Sequence, residues 1–467
     1  MERIDLLASL TKGFDVICDI GCDHGYVALE AIKKYNVKHA ISADINASPL
    51  NQAKKNSKGF EDKIDFVLSD GFKNIDKEFD CAIIAGMGGI LIKNILLNSF
   101  DKIKNKRLIL QANSDRPFLR KFLNENNFKI INEVSILEQN KYYEIIVVES
   151  GIESLDEFDI EFGPILRRNK SDIYIKHYED EFNNLEKIIK DIKDPIVKEE
   201  KLKYYRLLIR LLCKANVETH YILNTKNYYR TYFLDEEKRP TILVSPGGGY
   251  HHCSPREAGN IAKYYNDFGY HVVVVNYIVS NEAYPMPGKY LAYVNDLLRK
   301  DKRVSYVIGL GFSAGGHNIL ELNVHNDDYN TKKCDLLMLG YPVITNDELY
   351  IHKASFENLL KDKINDEKLY NKMSLEKEIK DKSIPPLFLW GTITDESVNV
   401  MNSIKLIEAC KKNNINVEYH LFPMGGHGLG TSDNMSAEGN DEKNIAYVNK
   451  WLEYSNIWIK EKIKDLK

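Results

Sequence analysis

Residues 16–32 read VICDIGCDHGYVALEAI and predict a buried strand, a glycine turn and the helix that follows. Val16 and Ile17 begin an apolar strand of the kind found in parallel sheets. Gly21 and Gly25 let a ligand approach the backbone, and the free N–H groups of the first helical turn face it. The stretch therefore predicts a nucleotide-cofactor site at the end of the first strand.

A second strand, HAISADI, ends with Asp44 at the spacing from the turn at which an acidic side chain holds ribose hydroxyls. The turn itself reads D-x-G-x-x-x-G, whereas a turn that cradles a pyrophosphate reads G-x-G-x-x-G. This difference favours S-adenosylmethionine over a dinucleotide, with Asp19 or Asp23 near its sulfonium and amino group. A strand, glycine turn and helix also occur in sheets that bind nothing, so the spacing alone leaves that alternative open.

Strands and helices continue to alternate after Asp44, which predicts a doubly wound α/β sheet. Asp70 follows a strand and can take the adenine amino group of the cofactor. The stretches RLILQAN, FKIINEVSIL and KYYEIIVVES predict three more strands, the last two as an antiparallel hairpin at the sheet edge. The candidate cofactor-binding residues are Asp19, Gly21, Cys22, Asp23, Gly25, Asp44, Ile45, Asp70, Gly71 and Gly86, and the candidate acceptor-binding residues are Met87, Gly88, Gly89 and Asn113.

Six separated motifs in this half resemble the bacterial tRNA (adenine(22)-N(1))-methyltransferase family. They are DIGCDHGY, ADINASPLNQAKKN, IIAGMGGILI, LILQANSDRPFLRKFL, YEIIVVE and EFGPILRR, and the resemblance runs from the N-terminus to about Leu212. It implies a Rossmann-like domain, S-adenosylmethionine as donor, a tRNA adenine N1 as acceptor, and a helical pair after the catalytic domain. Val27, Ala28 and Ser48 depart from the family pattern, and we expect cofactor binding to survive these departures.

Residues 168–212 fit that helical pair, because SDIYIKHYEDEFNNLEKIIKDI and VKEEKLKYYRLLIRLL carry apolar residues at helical spacing. Their mixed charges leave two interpretations open, a solvated hairpin or a tRNA contact. The net charge of the whole chain is −4, so an RNA contact requires a local basic patch. The candidates for phosphate contacts are Arg116, Arg120, Lys121, Arg167 and Arg168.

The strand pattern restarts after Lys214 with the aromatic stretch HYILNTKNYYRTYFL and six further strands. Within them GFSAG, residues 311–315, is a G-x-S-x-G elbow that exposes a serine on a sharp strand-to-helix turn. PGGGY lies upstream, and GTITDES and MGGHGLG follow in the Ser, Asp, His order of α/β-hydrolases. The candidate residues are the triad Ser313, Asp395 and His427 and the oxyanion donors Gly248, Gly249 and Ala314.

Each triad member has an ordinary structural alternative, namely a turn residue, a helix N-cap or a loop histidine, but their joint order favours catalysis. Glu396 is the second choice as the acid, and His251, His252 and His317 are less favoured as the base. PGGGY, GFSAGGH and the HG-containing loops resemble the acetyl-esterase and carboxylesterase branch of the α/β-hydrolases, over about Val217 to Trp458. The resemblance implies hydrolysis of small acyl esters through an acyl-serine. We expect the charged segment Asp347 to Lys382 to cover this site.

The length of 467 residues exceeds one ordinary core. We predict a Rossmann-like methyltransferase domain at 1–160, a helical hairpin extension at 161–214 and an α/β-hydrolase domain at 217–467. The chain has neither an apolar run long enough for a bilayer nor a secretory signal, which predicts a cytoplasmic protein. Seven cysteines without a C-x-x-C pair indicate no disulfide framework and no metal site.

The sequence therefore predicts a bifunctional fusion of a tRNA methyltransferase and a serine esterase. Its substrates would be tRNA and a small acyl ester. Two alternatives belong to other classes. One is an RNA- or cofactor-binding protein in which one catalytic domain is vestigial, and the other makes the first domain an oxidoreductase.

Overall fold

The computed structural model describes residues 2–222, 224–278, 282–381 and 383–466. Predictions that run through Met1, Leu223, residues 279–281, Lys382 or Lys467 lie outside the described residues at those positions. Contacts divide the chain into two compact units, Met1–Asp180 and Glu181–Lys467. Within the described ranges, no helix combines the length and the apolar character that a bilayer span requires.

The first unit is an α/β structure. Its strands are β1 Val16–Ile20, β2 His39–Asp44, β3 Ile64–Leu68, β4 Cys81–Gly88, β5 Arg107–Ser114, β6 Phe128–Glu138 and β7 Lys141–Ser150. Its helices are α1 Glu2–Ser9, α2 Tyr26–Lys34, α3 Ala47–Asn56, α4 Gly89–Leu97, α5 Phe100–Ile103, α6 Arg116–Glu125, α7 Glu157–Phe162, α8 Leu166–Asn169 and α9 Asp172–Asp191, whose last residues belong to the second unit.

The sheet order of this unit is β3-β2-β1-β4-β5-β7-β6. The first five strands are parallel, and β7 runs antiparallel to both β5 and β6. The prediction of a doubly wound sheet with an antiparallel hairpin at its edge is therefore confirmed. Because β1 and β2 are neighbours and parallel, their carboxyl ends bring the glycine turn beside Asp44.

The second unit is also α/β. Its strands are β8 Asn216–Tyr221, β9 Tyr228–Phe233, β10 Arg239–Ser245, β11 His271–Asn276, β12 Val304–Phe312, β13 Leu336–Gly340, β14 Leu387–Thr392 and β15 Val417–Phe422. Its helices are α10 Pro195–Leu211, α11 Gly259–Asp267, α12 Met286–Lys300, α13 Ser313–Val324, α14 Lys353–Leu360, α15 Glu367–Lys372, α16 Leu375–Glu378, α17 Met401–Lys412, α18 Asn434–Ala437, α19 Ala446–Asn449 and α20 Trp451–Asp465. Short 3₁₀ turns lie at Pro255–Glu257, Asn326–Tyr329, Lys361–Lys363 and Asp441–Lys443.

The second sheet has the order β15-β14-β13-β12-β10-β11-β9-β8. The strands from β10 to β15 are parallel, while β8 and β9 form an antiparallel hairpin that pairs with β11. Separate buried apolar clusters cover its two faces, as a sheet with helices on both sides requires. The second unit thus has the predicted α/β-hydrolase fold.

Helices α9 and α10 occupy the segment predicted as a helical pair, and the side chain of Asp194 caps α10. Helix α10 packs within the second unit. The ring of Tyr205 stacks on that of Phe182, with the ring centroids 4.8 Å apart. The guanidinium of Arg206 donates two hydrogen bonds to the carboxylate of Glu438, at 2.7 and 3.0 Å. Leu208, Ile209 and Leu211 are buried. The segment is therefore more than a solvated hairpin, since one of its helices is part of a core.

Candidate active sites

The carboxyl ends of the central strands of the first unit open into a cavity of about 1560 Å³. Nine of the predicted cofactor-binding residues line it, namely Asp19, Gly21, Cys22, Asp23, Asp44, Ile45, Asp70, Gly71 and Gly86. Gly25 lies outside the lining in the described structure. A Cβ at Gly25 would come 2.8 Å from the Cβ of Ala53, so this glycine permits close packing of α3.

Gly21 shapes the turn that begins this cavity. Its φ of +71° lies in the left-handed region, and its N–H donates to the carbonyl of Ala43 at 2.8 Å. A Cβ at this position would lie 2.0 Å from the Cε of Met87. Only glycine therefore gives the turn both its backbone conformation and the close approach of the carboxyl end of β4.

Asp19 and Asp44 bring two carboxylates to the cavity. Asp19 is buried, and its Oδ2 has no hydrogen-bond partner among the described residues. Burial, followed by the nearby Asp44 carboxylate, raises the pKa of Asp19 to about 7. Asp44 accepts the N–H groups of Asn46 at 2.8 Å and Asp23 at 3.3 Å, which fixes its orientation. A cationic donor such as S-adenosylmethionine fits this pair, because it would supply the positive charge and hydroxyl donors that the two groups lack.

The irregular carboxyl end of β4, where its pairing with β5 shifts register, borders the same cavity at Gly86. The Gly86 N–H donates to Oε1 of Gln111 at 3.2 Å, and its carbonyl accepts from Nδ2 of Asn113 at 2.8 Å. At a φ of +80°, the position of a Cβ on Gly86 has no atom within 4 Å, so it faces open space. Met87 and Asn113 also line the cavity.

Gly88 and Gly89 do not line the cavity in the described structure. A Cβ on Gly88 would lie 3.1 Å from Oγ of Ser114, and one on Gly89 would lie 2.6 Å from the carbonyl oxygen of Asp115. Both glycines thus serve the packing of the junction between β4 and α4 against the end of β5. Of the three predicted glycines at this junction, only Gly86 lines the cavity in the described structure.

The remaining wall of the cavity comes from elements that sequence reasoning did not connect with it. Arg3 stacks on the ring of Tyr143 at 4.5 Å, and Leu137 and residues 140–142 complete the edge of the β6–β7 hairpin. The start of α9 contributes Asp172, Ile173, Lys176, His177 and Asp180. The total volume exceeds that of ordinary small-molecule pockets, which leaves room for a nucleoside beside a bound donor. No motif in the sequence marks these residues, because only the tertiary fold brings them together.

Two of the five basic residues predicted to contact phosphate are buried, and for these two the prediction was wrong. Arg120 is fully buried between Glu133, at 2.8 Å, and Glu144. Arg167 is also buried and lies 2.6 Å from Asp159. A buried guanidinium is stable only with such partners, so its charge is already neutralised. Neither side chain is available to RNA.

A serine, a histidine and an aspartate form a hydrogen-bonded chain in the second unit. Ser313 begins α13 directly after β12 with a φ of +52°, and its Oγ lies 2.8 Å from Nε2 of His427. Nδ1 of His427 lies 2.7 Å from Oδ2 of Asp395. The other oxygen of Asp395 accepts the N–H groups of Ser397 and Val398, both at 2.9 Å, so the carboxylate is fixed. This is the geometry of a nucleophile, a base and the group that orients the base.

The predicted oxyanion donors border the same serine. A Cβ on Gly247 would lie 2.9 Å from Cβ of Ser313, so the PGGGY loop runs beside the nucleophile. Within the described part of the chain, the N–H groups of Gly248 and Gly249 donate no hydrogen bond. Ala314 lies in the first turn of α13, where N–H groups have no helical partner. These donors can therefore serve a developing oxyanion.

The alternative acid and bases do not take part in this hydrogen-bonded chain. His251 and His252 are exposed, and their backbone N–H groups donate to the carbonyl of Gly248. His317 is buried, with Nδ1 2.8 Å from the hydroxyl of Tyr250 and Nε2 2.9 Å from the carbonyl of Met373, and burial lowers its pKa to about 4. Glu396 is exposed. From the charged segment, Asn358 of α14 donates from Nδ2 to the carbonyl of Gly249 at 2.8 Å, which places α14 against the oxyanion loop.

Comparison with known proteins also divides the chain into two parts, although the first match extends beyond the first structural unit. The family model described as tRNA (adenine(22)-N(1))-methyltransferase matches residues 17–238, and the model of the prolyl oligopeptidase family matches residues 299–454. The tRNA (adenine(22)-N(1))-methyltransferase of Bacillus subtilis (strain 168) is 32% identical over 201 residues, which cover 41% of this chain and 84% of that protein.

The second half is similar to part of one enzyme and to nearly the whole of another. Endo-1,4-beta-xylanase B of Butyrivibrio fibrisolvens is 34% identical over 213 residues, and the match covers 42% of this chain but only 33% of that relative. The crystal structure of the carboxylesterase Cest-2923 from Lactobacillus plantarum WCFS1 is 26% identical with a TM-score of 0.48, and it covers 53% of this chain and 98% of its own. Together with the cavity and turn of the first unit, the long match to the Bacillus enzyme shows that this chain belongs, through its first half, to the tRNA (adenine(22)-N(1))-methyltransferase family.

Proposed function

We propose that the protein is a cytoplasmic bifunctional enzyme. Its first half methylates N1 of adenine 22 in tRNA with S-adenosylmethionine, and its second half is a serine esterase that acts on small acyl esters. We keep the domain limits 1–160, 161–214 and 217–467 as part of this proposal. The observation behind the first activity is the unpartnered Oδ2 atom of Asp19 in the cavity of a methyltransferase-family chain. The observation behind the second is the hydrogen-bonded chain of Ser313, His427 and Asp395.

In the first half the residues have to bind the methyl donor and to orient the acceptor adenine towards it. S-adenosylmethionine supplies an electrophilic methyl group when it is bound. Adenine N1 already offers a lone pair, so the reaction needs positioning more than acid or base assistance. Asp19 faces the positive charge of the donor, Asp44 accepts from its ribose hydroxyls, and the open side of Gly86 leaves room for the acceptor base.

In the second half Ser313 attacks the acyl carbon while Nε2 of His427 takes the hydroxyl proton. The N–H groups of Ala314 and of Gly248 or Gly249 stabilise the negative oxygen. His427 then gives its proton to the leaving alcohol, and water hydrolyses the acyl-serine with the same base. Asp395 keeps the imidazole in the tautomer that presents Nε2 to the serine.

Mass spectrometry of nucleosides tests the first activity most directly. Incubation of an unmodified tRNA with the protein and S-adenosylmethionine is expected to produce 1-methyladenosine. The same tRNA with guanosine at position 22 is the control, and it should gain no methyl group. Binding of S-adenosylmethionine without any methylation of the adenosine tRNA would favour the binding-protein alternative instead.

Asp44→Ala is expected to weaken S-adenosylmethionine binding by about 10- to 100-fold, because it removes a charged acceptor for the ribose hydroxyls. Titration calorimetry measures this change. Asp62→Ala is a suitable control, since Asp62 is an exposed acid of the same unit that does not line the cavity. NADH should not bind to the wild type, and tight NADH binding without S-adenosylmethionine binding would restore the oxidoreductase alternative.

The pH dependence of donor binding follows from Asp19. Its pKa of about 7 in the folded protein lies above the ordinary value of 3.8, so the carboxyl is neutral at pH 5.5 and gains charge as the pH rises. A cationic ligand prefers the ionised form, and affinity for S-adenosylmethionine should therefore increase about tenfold between pH 5.5 and pH 7. Calorimetry at both pH values measures it. Asp19→Asn should bind S-adenosylmethionine weakly, with little dependence on pH. If the affinity of this variant rises with pH as much as that of the wild type, Asp19 is not the origin of the pH dependence.

A further inference from the structure

A buried carboxyl group lies beneath the oxyanion loop of the second unit. Glu257 ends the 3₁₀ turn Pro255–Glu257, and only 1% of its surface is exposed. Its Oε2 accepts the N–H of Gly247 at 2.7 Å, and its Oε1 accepts the hydroxyl of Tyr341 at 2.7 Å. In the described ranges no cation forms an ion pair with this carboxyl group. Both donors are neutral groups of other loops.

Each of these two bonds leads to a part of the catalytic site. Gly247 lies against Ser313 and precedes Gly248, so the bond to its N–H fixes the peptide plane next to a candidate oxyanion donor. The hydroxyl of Tyr341 also accepts the N–H of Gly430 at 2.9 Å. Gly430 belongs to the loop of His427, and the ring of Tyr341 lies 4.9 Å from the imidazole at an angle of 67°. One carboxyl group thus connects the oxyanion loop with the histidine loop.

Packing alone does not require this group. Burial of a carboxyl group costs free energy unless its hydrogen bonds compensate for the lost hydration. Burial raises the pKa of Glu257, which is the sign of that cost. The two hydrogen bonds of Glu257 can offset this cost. Because a hydrogen bond is directional, they fix the two loops more tightly than apolar contacts would.

We propose that Glu257 is a positioning residue of the esterase site, which holds the oxyanion loop and, through Tyr341, the histidine loop in register with Ser313. This inference rests on the proposed esterase activity. Glu257 itself touches neither the nucleophile nor the base through a hydrogen bond. It acts on the rate through the placement of the N–H of Gly248 and of the imidazole.

Three variants test the proposal by steady-state kinetics with p-nitrophenyl acetate. Glu257→Ala leaves the N–H of Gly247 without its acceptor and should lower kcat about 100-fold, as loss of an oxyanion donor does, with KM changed less than about threefold. Glu257→Gln should recover part of that loss, because its amide oxygen can still accept from Gly247, whereas the hydroxyl of Tyr341 loses its acceptor. Tyr341→Phe keeps the ring beside His427 but removes the link to Gly430, and should lower kcat about tenfold.

The double variant Glu257→Ala, Tyr341→Phe distinguishes positioning from general destabilisation. If both residues act through one connection, the double variant should be about as slow as Glu257→Ala alone, since coupled residues are not additive. Thermal unfolding of every variant shows whether it is folded at the assay temperature. If Glu257→Ala does not fold, the kcat values of Glu257→Gln and Tyr341→Phe still test whether Glu257 positions the two loops. Wild-type kcat in Tyr341→Phe, or a fully additive double variant, would overturn the proposal.

Covalent labelling separates this proposal from the proposed function. A fluorophosphonate probe forms a tetrahedral adduct on an activated serine, and intact-mass spectrometry detects it. Rapid labelling of the wild type with slow labelling of Glu257→Ala supports the positioning role. Rapid labelling of both proteins contradicts it while leaving the esterase intact. A wild type that neither reacts with the probe nor turns over the ester refutes the esterase itself, and the positioning role with it.

Discussion

Ser313→Ala is expected to lower kcat for p-nitrophenyl acetate by about 10⁴-fold or more, because loss of the nucleophile leaves only the oxyanion donors and substrate binding. The expectation rests on the 2.8 Å contact between Oγ of Ser313 and Nε2 of His427. Methylation of tRNA should be unchanged, since that site lies in the other unit. Ser305→Ala, on the same strand as the elbow, is the control and should retain full esterase activity.

Two outcomes would change the interpretation of the second unit. If the wild type and Ser313→Ala hydrolyse the ester equally slowly, the triad is not used and the unit is a binding or scaffolding module. The match to the prolyl oligopeptidase family also favours a test with peptide p-nitroanilides. Hydrolysis of these amides at a rate above that of the ester, and dependent on Ser313, would make the unit a peptidase.

Gly86→Leu is expected to lower the rate of tRNA methylation about 100-fold or more while S-adenosylmethionine still binds. The side chain would enter the open space beside Gly86, where we place the acceptor base, and a misplacement of about 1 Å can already cost 10²-fold. The rate is measured by the transfer of labelled methyl groups to tRNA, and donor binding by calorimetry.

Gly59→Leu provides a matched control for backbone strain. Gly59 has a φ of +87°, close to the +80° of Gly86, and its Cβ position likewise has no atom within 4 Å, but it does not line the cavity. It should destabilise the fold to a similar extent without an effect on methylation of the folded protein. Equal rates of tRNA methylation for Gly86→Leu and Gly59→Leu would show that Gly86 does not border the acceptor site.

The features that the sequence predicted well are encoded locally. The glycine turn after β1, the acids at the strand ends and the G-x-S-x-G elbow each join a strand to a helix within a few residues. Because parallel strands end at the same edge of a sheet, correct strand assignments bring these motifs together without further information. The donor cavity and the serine, histidine and aspartate geometry follow from that rule.

The features that the sequence did not predict depend on contacts between distant segments. Arg120 looks like a surface cation in the sequence, yet Glu133 and Glu144 from the edge hairpin enclose it. Glu257 is one acid among many until the fold places it under Gly247. The wall from α9 likewise has no sequence signature. Charge alone does not reveal burial, because any ion can be buried when the fold provides its partner.

Helix α10 has a consequence for any attempt to separate the two enzymes. By similarity it falls within residues 17–238, which match the methyltransferase family, but by packing it belongs to the second unit. Protease cleavage or gene truncation between Lys214 and Val217 would leave the hydrolase without Tyr205, Arg206 and the apolar face of α10. The buried carboxylate of Glu438 would then keep Arg256 but lose its two hydrogen bonds from Arg206. A hydrolase fragment that starts at residue 181 keeps these contacts. The boundary predicted near residue 215 and the boundary between the structural units at residue 181 therefore differ by the whole of helix α10.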